Sequence, residues 1–375
     1  MAASIPPLLS SALAEGGGLI SAIRCRELGV SADRVERMLR SGLLLAAAKG
    51  IYADRRHVDG LSDWAVFRLR TRAFVMASPP DTHASDWSAV ALHHLPTRSE
   101  PPRVPSAIRL GSRGSGSNRT PHGRTRFAAV ADRWLTEVDG TATLRPAFVA
   151  VDLARGLDRR SGLVLADGAA GREGSLEDLE RAERDMALWP HLGRARWAVS
   201  RASIDVESPL ESVGRYAFLR AGLPPGASNV WVGEDIPCWR LDHYWADQRL
   251  AAEADGMAKY GLFGDPMAAL RAEKEREWQL QEWGIRVVRY TWTTAAQTPD
   301  VLAGRVRSLL SAPPLPADRP FRTWSRRDGF LARGMTPPAV TWAAATPRPA
   351  AATVSRPHRP AASSWSSSAG ASGCR

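Results

Sequence analysis

Pro237-Cys-Trp-Arg-Leu-Asp-His-Tyr244, Trp245-Ala-Asp-Gln248 and Arg249-Leu-Ala-Ala-Glu-Ala-Asp255-Gly256 decide how the second half of this chain is read. The first and last segments predict strands, and the four residues between them a turn. Strand side chains alternate with a period of two, so Glu253 and Asp255 are expected on one face. Pairing the two strands as a hairpin brings Asp242 to its open side, eleven positions before Glu253. Upstream, Ser208-Pro-Leu-Glu211 predicts a helix start, with proline near the first turn and Glu211 just inside it. That helix buries Val213, Ala217 and Phe218 and stops at Gly222. Asn229-Val-Trp-Val232 predicts another strand. Downstream, Met267 to Gly284 predicts a long helix carrying Glu273, Lys274, Arg276 and Glu277, and Ile285 to Trp292 a last strand.

Carboxylates that converge at strand ends repel one another unless a cation lies between them. Their hard oxygens suit Mg²⁺, or alternatively Mn²⁺, and the expected metal ligands are Asp242, Glu253 and Asp255. Such an ion binds a phosphodiester and lowers the pKa of a bound water. Gly256 permits close approach, and Lys259 is placed to hold the phosphate or assist the attacking water. Only three of the 50 basic residues are lysines, and Lys259 and Lys274 both fall in this region.

The composition, 44% apolar and 24% charged over 375 residues, is that of globular domains and excludes collagen-like, coiled-coil and wholly disordered chains. No apolar run reaches the ~20 residues of a membrane span. The N-terminus has no basic region before its short apolar stretch, so a cytoplasmic protein is expected. Cys25, Cys238 and Cys374 form no CxxC pair, so neither a zinc site nor a disulfide framework is expected. Residues 313–375 hold nine arginines against Asp318 and Asp328, seven of the eleven net positive charges. The high pI therefore says little about a DNA-binding face on the folded part. A disordered, basic Pro/Ala/Ser-rich tail is expected over 312–375.

Residues 1–60 predict helices, a glycine-containing turn and a β-hairpin. Ser21 and Ser31 are placed to cap the second and third helices. The third helix buries Val35, Met38 and Leu39 and sets Arg34, Arg37 and Arg40 along the other side. Leu43 to Leu45 and Gly50 to Tyr52 predict the hairpin, with Lys49 at its turn. This is a winged helix-turn-helix pattern, in which the arginine helix enters the major groove of double-stranded DNA and Lys49 touches the backbone. A small helical domain with a solvated arginine stripe fits the same spacing.

Residues 61–200 predict a mixed α/β middle region, with a Pro/Gly/Ser/Arg-rich loop over 97–126. Pro101 to Ala131 holds six arginines and no acid, a solvated loop or one lying along phosphates. His93 and His94 are adjacent, point to different sides, and are expected to be structural.

Two resemblances bear on these readings. Gly18-Leu-Ile-Ser-Ala, Glu27-Leu-Gly-Val-Ser, Val35-Glu-Arg-Met-Leu-Arg-Ser-Gly and Lys49-Gly-Ile-Tyr52 resemble the N-terminal domain of AbiEi-family antitoxins of type IV toxin–antitoxin systems. The resemblance implies a winged helix that autoregulates its operon, with duplex DNA and a cognate toxin as partners. Over residues 205–295, Ser208-Pro-Leu-Glu211-Ser, Leu241-Asp242, Glu253-Ala-Asp255-Gly256, Lys259-Tyr260, Glu273-Lys274, Arg276-Glu277 and Gly284-Ile-Arg-Val-Val-Arg289 resemble the very-short-patch-repair-like group of PD-(D/E)XK endonucleases. That implies Mg²⁺-dependent DNA cleavage with Glu211, Asp242 and Glu253 as metal carboxylates. The chain departs from the group in carrying Asp255 where the motif has lysine and Lys259 where histidine is usual.

The expectation is a multidomain α/β protein. A winged helix-turn-helix (1–60) and the mixed middle region (61–200) precede a restriction-endonuclease-like α/β domain (201–311) and the tail. The catalytic candidates are Glu211, Asp242, Glu253, Asp255 and Lys259, and the DNA-binding candidates are Arg34, Arg37, Arg40 and Lys49. Two functions stay open: a metal-dependent DNA endonuclease, and an autoregulator whose nuclease fold is an inactive scaffold.

Overall fold

The structure, a computed structural model, describes residues 4–111, 117–255, 266–336 and 338. Within them the chain forms two compact units, residues up to His93 with Ser99–Arg145, and His94–Arg98 with the residues from Pro146 onward.

The first unit opens with α1 (Pro7–Glu15), β1 (Leu19–Ser21), α2 (Ala22–Glu27), α3 (Ala32–Arg40), β2 (Leu44–Ala48) and β3 (Ile51–Asp54). Ser21 Oγ accepts from Arg24 N at 3.0 Å and Ser31 Oγ from Arg34 N at 3.4 Å, capping α2 and α3. Gly42 follows α3 at φ +73°, where a side chain would be strained. Val35 and Met38 on α3 pack with Leu9, Leu13, Ile20 and Leu44. The strands form one antiparallel sheet in the order β1-β3-β2.

The unit continues with α4 (Arg55–Val58), α5 (Asp63–Met76), β4 (Thr82–Ala84), α6 (Asp86–His93), β5 (Ser106–Leu110), β6 (Ser117–Thr120) and β7 (Gly123–Ala128). After a 3₁₀ turn come β8 (Leu135–Val138) and β9 (Thr141–Leu144). These six strands form a mixed sheet, ordered β6-β7-β5-β4-β9-β8. The loop expected over 97–126 is therefore corrected: Arg119 pairs with Arg124 across an antiparallel ladder, and Ser106–Leu110 pairs in parallel with 124–128. The acids that neutralise this stretch come from outside it. Asp81 binds Arg109, and Asp86 binds Arg124 and Arg126. His93 is buried with Nε2 2.8 Å from the Leu144 carbonyl oxygen, the structural role expected of it.

The second unit begins with four helices, α7 (Pro146–Ala154), α8 (Arg159–Glu173), α9 (Glu177–Asp185) and α10 (Leu192–Val199). The stretch 61–200 is thus divided between the units. After these come α11 (Pro209–Arg220), β10 (Ala227–Gly233), β11 (Trp239–Trp245), β12 (Leu250–Ala254), α12 (Pro266–Glu282) and β13 (Arg286–Tyr290). The last elements are α13 (Trp292–Gln297), α14 (Pro299–Leu310), β14 (Arg322–Trp324) and α15 (Arg326–Ala332). The five strands are ordered β13-β12-β11-β10-β14, with β12 parallel to β13 and the other neighbours antiparallel. One face packs Leu250, Ala252, Val288 and Tyr290 against Val213 and Phe218 of α11 and Leu302 of α14. Another core gathers Leu241, Tyr244 and Ala251 with Leu280 of α12 and Trp283 just after it. Asp167 of α8, fully buried, accepts from Ser212 Oγ and Arg215 Nη1, both at 2.7 Å, and so joins α8 to α11.

Disorder expected from residue 312 is corrected for the first part of that stretch. β14 pairs Trp324 with Trp231 and Thr323 with Val232, and Phe330 of α15 lies edge-on to Trp231 at 5.2 Å. The aromatic pair anchors a segment whose composition is otherwise that of a solvated tail. Residues from 339 onward lie outside the described residues. A Cβ on Gly329 would lie 2.1 Å from Trp231 Cδ1. Gly329→Ala is expected to weaken docking of this segment by about 1–3 kcal/mol. Hydrogen exchange should then accelerate in 322–332 and stay unchanged in β12 and β13.

Candidate functional site

Glu211 sits where its helix begins. Ser208 Oγ accepts from Glu211 N at 3.2 Å, and Pro209 occupies the first turn, where no N–H is needed. The Glu211 carboxylate turns back to accept from Glu207 N at 3.0 Å, a variant of the capping box. It also accepts from Asn229 Nδ2 at 2.7 Å. Asn229 is wholly buried in β10 and adopts φ 50°, a left-handed conformation that asparagine tolerates better than most residues. Its Nδ2 also donates to the Asp205 carbonyl oxygen at 2.6 Å. Its Oδ1, equally buried, has no hydrogen-bond partner among the described residues.

Asp242 stands in β11 next to His243, which pairs with Ser228 on one side and Ala252 on the other. That register brings Asp242 level with Asn229 and Glu253. Asp242 Oδ2 accepts from Ala254 N at 2.7 Å, so the hairpin does carry Asp242 to the end of β12. Burial first, and then the charge of Asp242, push the Glu211 carboxyl up from 4.5 to about 8. Tyr290 is held well above the usual phenol range by burial and by the charges of Asp242, Glu211 and Glu253. Asp242 thus bears on Glu211, and all three acids bear on Tyr290. Tyr290 Oη is 2.6 Å from His243 Nε2, and burial pushes His243 down to about 3, so the imidazole is neutral.

Glu253 is engaged in a two-pronged ion pair with Arg276 of α12, Nη1 to Oε2 being 2.9 Å and Nη2 lying on Oε1. Arg276 also meets Glu273 at 3.4 Å. Arg289 meets Glu273 and, at 3.0 Å, Glu277. Asp242, Glu253 and Glu273 line a cleft of about 480 Å³ together with Arg240, Arg276 and Arg333. Trp231 and Phe330 form its apolar wall.

The expected ligand set Asp242, Glu253 and Asp255 is not assembled. Among the described residues no three His, Cys, Asp or Glu side chains form a group that could hold a metal ion. Two local causes account for this. Arg276 occupies both oxygens of Glu253, and β12 ends at Ala254, so strand alternation no longer governs Asp255, whose N–H donates to the Tyr290 carbonyl oxygen at 2.8 Å. Lys259 and Gly256 lie outside the described residues. Glu211, Asp242 and Asn229 carry oxygens of the kind a hard cation takes. Asn229 was missed by motif reading, although an asparagine inside an apolar strand was a legible signal. Arg276 was noted only as a helix-surface charge.

In the first unit Arg34, Arg37, Arg40 and Lys49 are all exposed. Lys49 lies in the β2–β3 turn. Arg40 meets Glu36 at 3.7 Å across one helical turn, whereas among the described residues no ion pair engages Arg34 or Arg37.

No family model matches the chain. It is similar to two proteins of Mycobacterium tuberculosis, the uncharacterized proteins Rv2248 (strain H37Rv) and MT2308 (strain CDC 1551). Identity to each is 30% over 174 residues, 46% of this chain and 63% of the relative. The chain thus spans under two thirds of the length of the curated relatives it matches. Among the described residues no helix is long and apolar enough to cross a membrane.

Because Glu211 binds its proton more tightly folded than unfolded, its stabilising contribution is complete below about pH 4.5 and is lost as pH rises through about 8. The urea midpoint of the second unit should fall between about pH 5 and about pH 9, and Glu211→Gln should flatten that fall. A wild-type midpoint that does not fall over this range would contradict the crowding of Glu211 by Asp242.

Proposed function

We propose that this protein binds double-stranded DNA through its first unit and cleaves DNA phosphodiesters in its second, at the cleft lined by Asp242 and Glu253, with buried Glu211 next to Asp242. The observation that carries the reading is the crowding of buried Glu211 by the charge of Asp242, with Glu253 level with Asp242 across β11 and β12, beside the buried Asn229 Oδ1, which has no partner among the described residues. A buried carboxyl beside a second, half-buried carboxylate resists ionising unless a cation offsets their charge. Glu211, Asp242 and Asn229 Oδ1 would hold Mg²⁺ or Mn²⁺, and Glu253 would join them on release from Arg276. The metal, when bound, supplies charge stabilisation at the phosphate and a water of lowered pKa. The chain's own part is to fix these oxygens: Ala254 N orients Asp242, and Asn229 Nδ2 and Glu207 N orient Glu211. Neutral His243, bonded to Tyr290, is a buried prop under the same acids.

On this reading the first unit acts as a winged helix. α3 enters the major groove, Arg34 and Arg37 reach bases and phosphates, and Lys49 touches the backbone. The antitoxin-like role, repression of its own operon alongside a cognate toxin, follows from the same DNA-binding unit. A second reading, an autoregulator with an inactive nuclease-like scaffold, is favoured by one observation: the ion pair in which Arg276 occupies Glu253.

Supercoiled plasmid should be nicked with Mg²⁺, and Asp242→Asn or Glu253→Gln should lower the rate at least about a hundredfold. Equal rates in wild type and variants would leave the scaffold reading. In mobility shifts on the DNA upstream of its own gene, Arg34→Ala/Arg37→Ala should weaken binding and reduce the slope of log K against log salt by about 2. An unchanged slope would remove α3 from the groove.

A further inference from the structure

One wall of the cleft is built by the segment that composition assigns to the tail. β14 adds to the edge of β10, and α15 lays Phe330 against Trp231. Arg333, at the C-terminal end of α15, reaches the cleft from that side. Its guanidinium lies over the Trp231 ring at 5.2 Å, and its Nη1 donates to the Pro237 carbonyl oxygen at 3.0 Å. A guanidinium has five donors, so most of the fork remains unused by these contacts.

The other arginines of the cleft are spent on acids. Arg240 meets Glu207 at 2.7 Å, and Arg276 holds Glu253. Arg333 has no carboxylate partner among the described residues. Its stem is oriented by the Trp231 face and the Pro237 carbonyl, which reduces the ordering cost of using the fork on a ligand. The cleft thus has two unlike sides: Asp242, Glu253 and Glu273 contribute negative charge, and an unmatched arginine projects beside an aromatic wall.

We propose that Arg333 anchors a nucleic-acid phosphodiester in this cleft, its fork bonding the non-bridging oxygens, so that α15 is part of the substrate site. The identity of the ligand rests on the cleavage reading above. A phosphate brought toward these carboxylates is repelled by them. A guanidinium held on the opposite wall offsets that repulsion, and its planar donors match phosphate oxygens in pairs. Lysine in its place keeps the charge and loses the fork.

The test uses the full chain without metal and bis(4-nitrophenyl) phosphate, a phosphodiester too small to need the first unit, with binding followed by ³¹P line broadening. Arg333→Ala should bind about tenfold or more weakly, and Arg333→Lys should fall between it and wild type. Arg327→Ala, which removes an exposed charge from the same helix, should bind like wild type. All variants should share the wild-type thermal midpoint, which separates lost binding from lost folding. This pattern upholds the subsite even if no nicking is seen with any metal, a result that would sink only the cleavage reading. Wild type that fails to bind, Arg333→Ala that binds equally well, or an equal loss in Arg327→Ala overturns the subsite even in an active nuclease. Tighter binding by Arg333→Ala, or by a chain ending at residue 320, also overturns it and makes α15 a cover over the cleft.

Discussion

The buried Glu211 carboxyl, crowded by the half-buried Asp242, sets the constraint that the second unit is organised to meet. Each needs hydrogen-bond donors or a counter-charge, because an isolated buried anion costs far more than a packed core returns. The chain supplies Ala254 N to Asp242, and Glu207 N and Asn229 Nδ2 to Glu211. Those donors exist only if β11 and β12 keep their register and β10 bends at Asn229 into a left-handed conformation. The sheet geometry and the acid cluster therefore require each other. A structural protein would gain by filling these positions with apolar side chains, since well-packed hydrophobic replacements of buried charges are often neutral or stabilising. That the acids are kept together argues for a chemical use.

The elements of the second unit from α11 to β13 were legible because their signals are local. Ser208 before Pro209 and Glu211 marks a helix start, the turn expected over Trp245–Gln248 and observed between β11 and β12 separates two apolar strands, and both act within a few residues. The reach of Asp242 to the end of β12 was legible as well, since a hairpin of known turn has a fixed register. Other features depend on distant partners and left no such mark. Arg276 is 23 positions from Glu253. It lies on a helix where Lys274 and Glu277 offered an equally reasonable surface pairing. The last strand and helix were hidden for the same reason. Arg322 to Ala332 is basic and flanked by prolines, and only Trp231, some 100 positions earlier, reveals what Phe330 packs on.

The first unit shows the converse case. Its capping serines, glycine turns and apolar positions in α3 are all local, and the structure places them as the spacing predicts. The stripe of Arg34, Arg37 and Arg40 is exposed, yet exposure alone does not distinguish a DNA contact from a solvated face. The arginines of β5 and β7 illustrate the danger of counting charge by stretch. Pro101 to Ala131 contains no acid, but Asp81 and Asp86 fold onto Arg109, Arg124 and Arg126, three of its six arginines. Arg34 and Arg37 stand apart because, among the described residues, no carboxylate is folded onto them.

The Arg276–Glu253 pair is where the active and the scaffold readings part. Breaking a buried pair by removing one partner costs about 3–5 kcal/mol, because it strands a charge. Releasing Glu253 to a divalent cation is a different exchange: the carboxylate trades one positive neighbour for a more highly charged one, and Arg276 is not stranded. Glu273 meets Arg276 at 3.4 Å and sits on the same helix face, one turn away. It is the acid that would remain to Arg276 were Glu253 released. Arg289 meets both Glu273 and, at 3.0 Å, Glu277. Glu253, Arg276, Glu273, Arg289 and Glu277 thus form one connected set of alternating charges, so on the cleavage reading the release of Glu253 would leave Arg276 a carboxylate partner.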